Sequence, residues 1–141
     1  MTGFLARLYL PDEEGHEDVL ALLGDAEVVA VTGTWTRVEV SGALVRAARA
    51  GRGSATELLS VLDGDLGPDG PVTLLSAPRD DVEKKALDIV RTHGLRAMDA
   101  WHLAVATLTA PALVESGETV GFASRDEAQG AVAQLMGLRW L

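Results

Sequence analysis

Four short runs of β-branched and apolar residues are separated by stretches with helical periodicity, and this alternation restricts the chain more than any other feature. Residues 27–32 (EVVAVT), 71–75 (PVTLL), 119–123 (TVGFA) and 138–141 (LRWL) read as strands. Each gap between them holds at least one helical pattern. Two parallel neighbours need a crossover of about a dozen residues or more, which a helix supplies. The reading is an α/β fold with a central parallel sheet.

The punctuation between runs fits that reading. Residues 4–10 read as a helix stopped by Pro11, 11–15 as a turn, and 17–23 as a helix with Gly24 as its stop. Thr34 or Thr36 caps a helix through about Ala50, ended by Gly51 and Gly53. Ser54 opens the next, with Glu57 at capping-box spacing, and 64–70 is a loop. Further helices are expected over 80–93, closed by Gly94, over 97–108, and over 126–136. In the 97–108 helix Asp99, Ala100, Leu103 and Ala106 face inward. No internal repeat, low-complexity tract or linker interrupts the 141 residues, so residues 1–141 read as a single domain.

Composition narrows the chemistry. The chain is 48% hydrophobic but only 4% aromatic, so its core is built from Leu, Val and Ala. The absence of cysteine excludes disulfides, thiol catalysis and cysteine-based zinc sites, and suits a reducing cytoplasm. Residues 1–10 carry Arg7 inside their apolar stretch and lack a small-residue cleavage site, unlike a signal peptide. No apolar run approaches the ~20 residues of a membrane helix, so a soluble, cytoplasmic chain with no membrane partner is expected. Twelve Lys and Arg against 21 Asp and Glu give a net charge of −9. That is opposite in sign to what phosphate binding draws on. Bound divalent cations, or basic residues gathered on one face, can reverse the local potential.

Carboxylates in apolar company are therefore the groups to weigh. Glu39 lies among Val38, Val40, Ala43, Leu44 and Val45, on a helix apolar on nearly all sides and so expected to be buried. It serves either a site or an ion pair with Arg46, seven residues on. Asp99 opens an apolar helix, where the macrodipole alone favours an acid. Asp126 follows a strand just where a helix begins, as an N-cap would, or as a ligand outside the carboxyl end of a parallel strand would. Together the three form a set of hard oxygen donors suited to Mg²⁺ or Mn²⁺. Thr2 and Ser124 are candidates to orient a metal-bound water, or else are caps. His102 reads as a core histidine with a hydrogen-bonded partner, while His16 and His93 read as surface positions. No P-loop, GxGxxG, nucleophile elbow or HExxH is present. Paired acids after a first strand with a late lysine, as in a receiver domain, are absent.

Four stretches, in order, resemble the PIN-domain family, in particular its VapC-type toxins: TGFLARLYLPDEEG, TWTRVEVSGALVRA, GLRAMDAWHLAVA and GFASRDEA. The third is the most specific, with His102, Leu103 and Ala104 matching the family's His-Leu-Ala. The resemblance implies a three-layer α/β/α fold around a parallel sheet. It places the second, third and fourth family acids at Glu39, Asp99 and Asp126, with Ser124 two before the last. It further implies a ribonuclease using Mg²⁺ or Mn²⁺, an RNA substrate, a cognate antitoxin partner and a homodimer. Arg7, Arg37, Arg46 and Arg125 are candidates to grip phosphates. The family's first acid should immediately precede Thr2, where Met1 stands, with the first strand before it. The expectation is a natural protein that starts several residues earlier, and a chain that, as written, is marginally stable and binds metal poorly. The alternative is a catalytically degenerate PIN domain that binds protein or RNA.

Overall fold

The structure, a computed structural model, describes residues 2–141, with the side chain of Thr2 outside that description. The described residues are mixed α/β, mostly helical with short strands, and form two compact units, Thr2–Leu75 and Ser76–Leu141. No helix among them is long and apolar enough to cross a membrane.

The first unit runs α1 (Thr2–Ala6), α2 (His16–Gly24), β1 (Ala30–Gly33), α3 (Trp35–Arg49), α4 (Ala55–Asp65) and β2 (Val72–Leu75). The helix expected over 4–10 is α-helical only to Ala6. Beyond it the chain tightens into turns, with Leu8 N–H bonding to Leu5 C=O and Tyr9 N–H to Ala6 C=O. Pro11 contributes to this: it has no N–H to bond the Arg7 carbonyl four residues back, and its ring pushes Leu10 out of the α region. β1 starts three residues later than the β-branched run suggests. The Asp25 carboxylate accepts the Glu27 N–H and its carbonyl the Val28 N–H, which holds 25–28 in a turn. Its partner is short as well: β1 and β2 pair in parallel from Ala30 opposite Val72 to Gly33 opposite Leu75. Pro71, with no N–H to offer, precedes that ladder.

α3 crosses from β1 toward α4 and buries Thr36, Val40, Leu44 and Ala47, one stripe at helical spacing. Its opposite face is open, with Val38 at 59% exposure, so α3 is a one-sided surface helix rather than the wholly buried one expected. Ser54 caps α4 by accepting the Glu57 N–H, and α4 continues through Gly64 and Asp65, into the expected loop. Leu5, Tyr9, Leu10, Leu44, Leu62 and Val72 make the centre of this unit's core. Burial, the neighbouring Asp65 charge and the hydrogen bond from the Tyr9 hydroxyl to Asp65 Oδ2 (3.0 Å) all push the Tyr9 phenol pKa up. Arg52 donates to both Asp12 (2.7 and 2.8 Å) and Glu13 (2.9 Å), and its hydrogen bonds hold the Asp12 carboxyl below the usual range.

The second unit runs α5 (Arg79–His93), α6 (Ala97–Leu113), β3 (Gly121–Phe122), α7 (Glu127–Leu135) and β4 (Arg139–Trp140). α5 ends at Gly94 in the left-handed conformation (φ 70), where a side chain would be strained. α6 runs five residues past the expected Leu108. Pro111 falls in its last turn, where the missing N–H costs a single intrahelical bond. Ala100, Leu103 and Ala104 are fully buried against α5 residues such as Ile89, whereas Asp99 and Ala106 are half-buried. β3 and β4 pair in parallel across α7, a small βαβ unit, with Arg139 N–H to Val120 C=O and Leu141 N–H to Phe122 C=O extending the ladder. Both strands are shorter than the runs that predict them. The four strands form two separate two-stranded parallel sheets, one in each unit.

Candidate functional site

The start of α7 carries the most organised polar group in the second unit. Asp126 is the N-cap, with extended backbone, and its Oδ1 accepts the Gln129 N–H at 2.8 Å. The Gln129 side chain does not turn back on Asp126, as a simple capping box would. Its Oε1 accepts the Ser124 hydroxyl at 2.6 Å, and its Nε2 donates to the Asp99 carbonyl at 3.0 Å. Ser124 Oγ in turn accepts the Asp126 N–H at 3.1 Å, closing a ring of bonds. Gln129 is 1% exposed, and an amide so deeply buried is tolerated only because both its polar ends are bonded.

This network brings two of the expected acids to one junction. Asp99 lies in the first turn of α6 and Asp126 at the first turn of α7, and one side chain bonds to both segments. The bond to Asp99 is through its backbone, which leaves the half-buried carboxylate outside the ring. Asp126 commits Oδ1 to the cap, and Oδ2 is outside the ring as well. The capping role expected of Asp126 therefore holds, and it does not exclude a second role.

Packing fixes the loop that carries Ser124. The Trp140 indole donates to the Ser124 carbonyl at 2.9 Å and its ring lies on Gly130 of α7, where a Cβ would collide with the six-membered ring and the indole nitrogen. Gly130 is thus the residue that lets α7 sit on β4. Sequence reading named Ser124 and missed Gln129, Gly130 and Trp140. The D-x-x-Q spacing of 126–129 was the available signal for the glutamine.

In the first unit Glu39 is half-buried on α3, one turn after Thr36. Thr36, one of the two candidate caps, does not cap α3. Its hydroxyl pairs with that of Thr32 at 2.7 Å, both buried, and Thr34 occupies the N-cap without a side-chain bond. These hydroxyls lie at the carboxyl end of β1, the end of a parallel strand where α/β folds place ligands. Of the expected phosphate-gripping arginines, Arg37 is exposed and 3.8 Å from Asp63 of α4. Arg46 and Arg125 are exposed, and the Arg7 guanidinium lies against Gly15 with its Nε buried and unbonded among the described residues. Thr2 opens α1, but its side chain is outside the described residues.

The histidines divide as follows. His102 is buried in α6 and His93 is exposed, as expected. His16 departs from expectation: it is half-buried, with Nδ1 2.6 Å from the Arg7 carbonyl. Among the described residues no group of three or more His, Cys, Asp or Glu side chains is gathered as a metal ion would need. A cleft of about 410 Å³ opens along the C-terminal half of α6, between Thr107, Pro111, Val114, Glu118, Val120 and Met136. It begins eight residues along α6 from Asp99, about 12 Å of helix, and takes no part in the junction.

Comparison with protein-family models gives no match for this chain, and comparison with curated proteins gives none either.

Proposed function

We propose that this chain is a PIN-type endoribonuclease that hydrolyses RNA phosphodiester bonds with Mg²⁺ or Mn²⁺, the toxin of a VapBC-type toxin–antitoxin pair. The observation that carries the reading is the junction at which Gln129 bonds both to Asp126 and to the Asp99 backbone. It supports two acids, distant in sequence, acting together. The donors fit the cation in kind: carboxylate oxygens are what Mg²⁺ prefers, and it is commonly held by one or two carboxylates with waters and substrate phosphates. Asp99 and Asp126 Oδ2 would hold it; Glu39, the other acid that the resemblance assigns, is on α3 of the first unit. Bound there, the ion supplies Lewis-acid stabilisation of the phosphate and an acidified water. The chain's own residues do the rest. Asp126 fixes the start of α7, Ser124 holds the Asp126 amide, and exposed Arg125 is within one residue of either.

On this reading the two parallel pairs belong to a three-layer α/β/α PIN architecture, the protein is cytoplasmic and forms a homodimer, and its antitoxin presents a basic side chain to the acids. A second reading, a non-catalytic PIN module that binds protein or RNA, is favoured by the net charge of −9, which suits a basic protein partner better than RNA.

The test is cleavage of single-stranded RNA by the full chain and by Glu39→Gln, Asp99→Asn and Asp126→Asn, each with Mg²⁺ or Mn²⁺. Asparagine is itself a good N-cap, so Asp126→Asn removes charge while keeping α7 capped. Each variant should lose about 100-fold or more of the rate, at least the loss usual for disturbing a metal's surroundings. Cleavage equal to the parent's in all three overturns the nuclease reading. A parent that cleaves nothing yet captures a basic peptide supports the second.

A further inference from the structure

We infer that the outward face of α3 is a self-complementary seam on which a second copy of this chain docks, antiparallel, about a two-fold axis at Gly42. This rests on the homodimer of the reading above and gives it a surface.

Three observations carry it. The face is apolar and open: Trp35 is 46% and Val38 59% exposed, on the side of α3 opposite the buried Thr36, Val40, Leu44 and Ala47. A lone exposed apolar side chain means little, but these two belong to a stripe. Trp35, Val38, Gly42, Val45 and Arg49 follow one another at alternating steps of three and four residues, the spacing along which two helices pack side by side. The stripe is also nearly symmetric about its midpoint. Trp35 and Arg49 lie seven residues to either side of Gly42, and Val38 and Val45 four and three.

An isologous contact demands that symmetry, because under a two-fold axis residue i meets j while j meets i. In the antiparallel arrangement Val38 meets the partner's Val45, Gly42 meets its own copy, and Trp35 meets the partner's Arg49. A guanidinium over an indole face is a favourable pair. Glu39 and Arg46 flank the stripe on one side, so each Glu39 comes opposite the partner's Arg46. Neither Arg46 nor Arg49 pairs with an acid of its own chain among the described residues, although acids outnumber basic residues by 21 to 12. In the single chain the Arg46 guanidinium folds over Gly42, 3.2 Å from where a Cβ would stand, and it swings aside to reach the partner's Glu39. A parallel pairing would instead set Arg49 against its own copy, like charge on like. The seam is short, about 22 Å of helix, which puts it at the small end of specific interfaces. The dimer is therefore one that dissociates on dilution.

The chain has no cysteine, so an engineered thiol is the only one present, and the geometry can be read by cross-linking the full chain. A disulfide needs Cα atoms within about 7 Å. Gly42→Cys should therefore oxidise to a covalent dimer with itself. Two copies of residue 38 stand about 12 Å apart along the seam, so Val38→Cys alone and Val45→Cys alone should cross-link poorly, and their mixture well. Sedimentation equilibrium gives the second measurement. The parent should approach twice the chain mass as concentration rises, and Val38→Asp should raise the dissociation constant about tenfold or more, since it sets a charge against the partner's Val45. Val61→Asp, at a similarly exposed valine on α4, should leave it unchanged. Circular dichroism checks that each variant is folded. A parent that dimerises while Val38→Asp has no effect, or while residue 38 cross-links to itself as readily as to residue 45, overturns the seam and leaves the homodimer standing. A parent that is monomeric at every concentration removes the homodimer and the seam together, and the nuclease reading is judged separately by its cleavage assay.

Discussion

The two units bury polar side chains in different ways. In Thr2–Leu75 the buried polar pair is Thr32 and Thr36, whose hydroxyls bond to each other at 2.7 Å across the turn from β1 into α3. In Ser76–Leu141 the buried polar pair is Ser124 and Gln129, and both reach beyond each other to backbone groups of Asp126 and Asp99. The first arrangement serves packing and involves no charge. The second ties acid-bearing segments together and leaves carboxylate oxygens outside its bonds. Buried polar groups that close on themselves hold a fold, whereas groups that brace acids give a reason to look for a ligand.

The same contrast can be broken most sharply with glycine. Gly130→Ala in the second unit puts a Cβ into the Trp140 indole, which is pinned by its bond to the Ser124 carbonyl and has little room to move. A loss of about 3 kcal/mol is expected, the upper end for overpacking. Gly42→Ala in the first unit meets only the tip of Arg46, 3.2 Å from a flexible Nη1 in mid-α3. Helix propensity then dominates, and a gain of up to about 1 kcal/mol is expected. Urea unfolding of the two variants checks both. Equal losses would mean that Trp140 is not the rigid support described.

The hydroxyl pair gives the next largest effect. Thr36→Val leaves the buried Thr32 hydroxyl without its partner and should cost about 2 kcal/mol, while Thr32→Val/Thr36→Val should recover most of that. The double change Ser124→Ala/Gln129→Met should not recover, because it also strips the Asp126 N–H of its acceptor. Double-mutant cycles in urea read the difference. Recovery in both units would erase the distinction between a closed pair and a brace.

How far this was legible in sequence follows from the range of each interaction. Local signals held: Gly94 does end α5, Ser54 does accept from Glu57, and Asp126 sits where a strand hands over to a helix. Strand ends were the weak point, because pairing sets them and pairing is not local. Residues 27–29 have the side chains of a strand but lie outside the β1–β2 ladder, which begins at Ala30 opposite Val72. The spread of apolar residues around nearly all sides of α3 predicts a buried helix. In the single chain Val38 stays open, because what covers a helix is supplied from outside it. Gln129 does not stand out in the sequence, because glutamine is an ordinary surface residue of helices. Its importance comes from Asp99, 30 residues earlier in the chain.

Tyr9 tests the charged edge of the first unit's core. Its hydroxyl donates to Asp65, and Tyr9→Phe should cost about 1.5 kcal/mol at neutral pH, the scale of a hydrogen bond to a charged partner. The phenol is neutral when protonated, and burial, with Asp65 beside it, raises its folded-state pKa above the ordinary value of about 10. A raised pKa means stability that is fully present below pH about 10 and is lost as pH climbs beyond it. The parent should therefore weaken between about pH 10 and 11 more steeply than Tyr9→Phe does. Parallel pH curves for the two proteins would show that Tyr9 is not held as described. The second unit has no buried tyrosine, so local probes there should not follow the same slope.

The smallest contrast is between the two side-chain caps. Asp126 accepts the Gln129 N–H at 2.8 Å with a charged oxygen, and Ser54 accepts the Glu57 N–H at 3.4 Å with a neutral one. The shorter, charge-assisted bond at the positive end of a helix is the stronger. Asp126→Ala should cost about 1 kcal/mol and Ser54→Ala about half that, with Asp126→Asn near the parent because asparagine caps as well as aspartate. Thermal unfolding of the three variants separates capping from chemistry at this residue. If Asp126→Asn is as unstable as Asp126→Ala, the carboxylate charge itself holds the junction, and any loss of cleavage in that variant would report stability rather than a missing ligand. If it is stable and inactive, Asp126 carries two functions on two oxygens, one for the helix and one for the site.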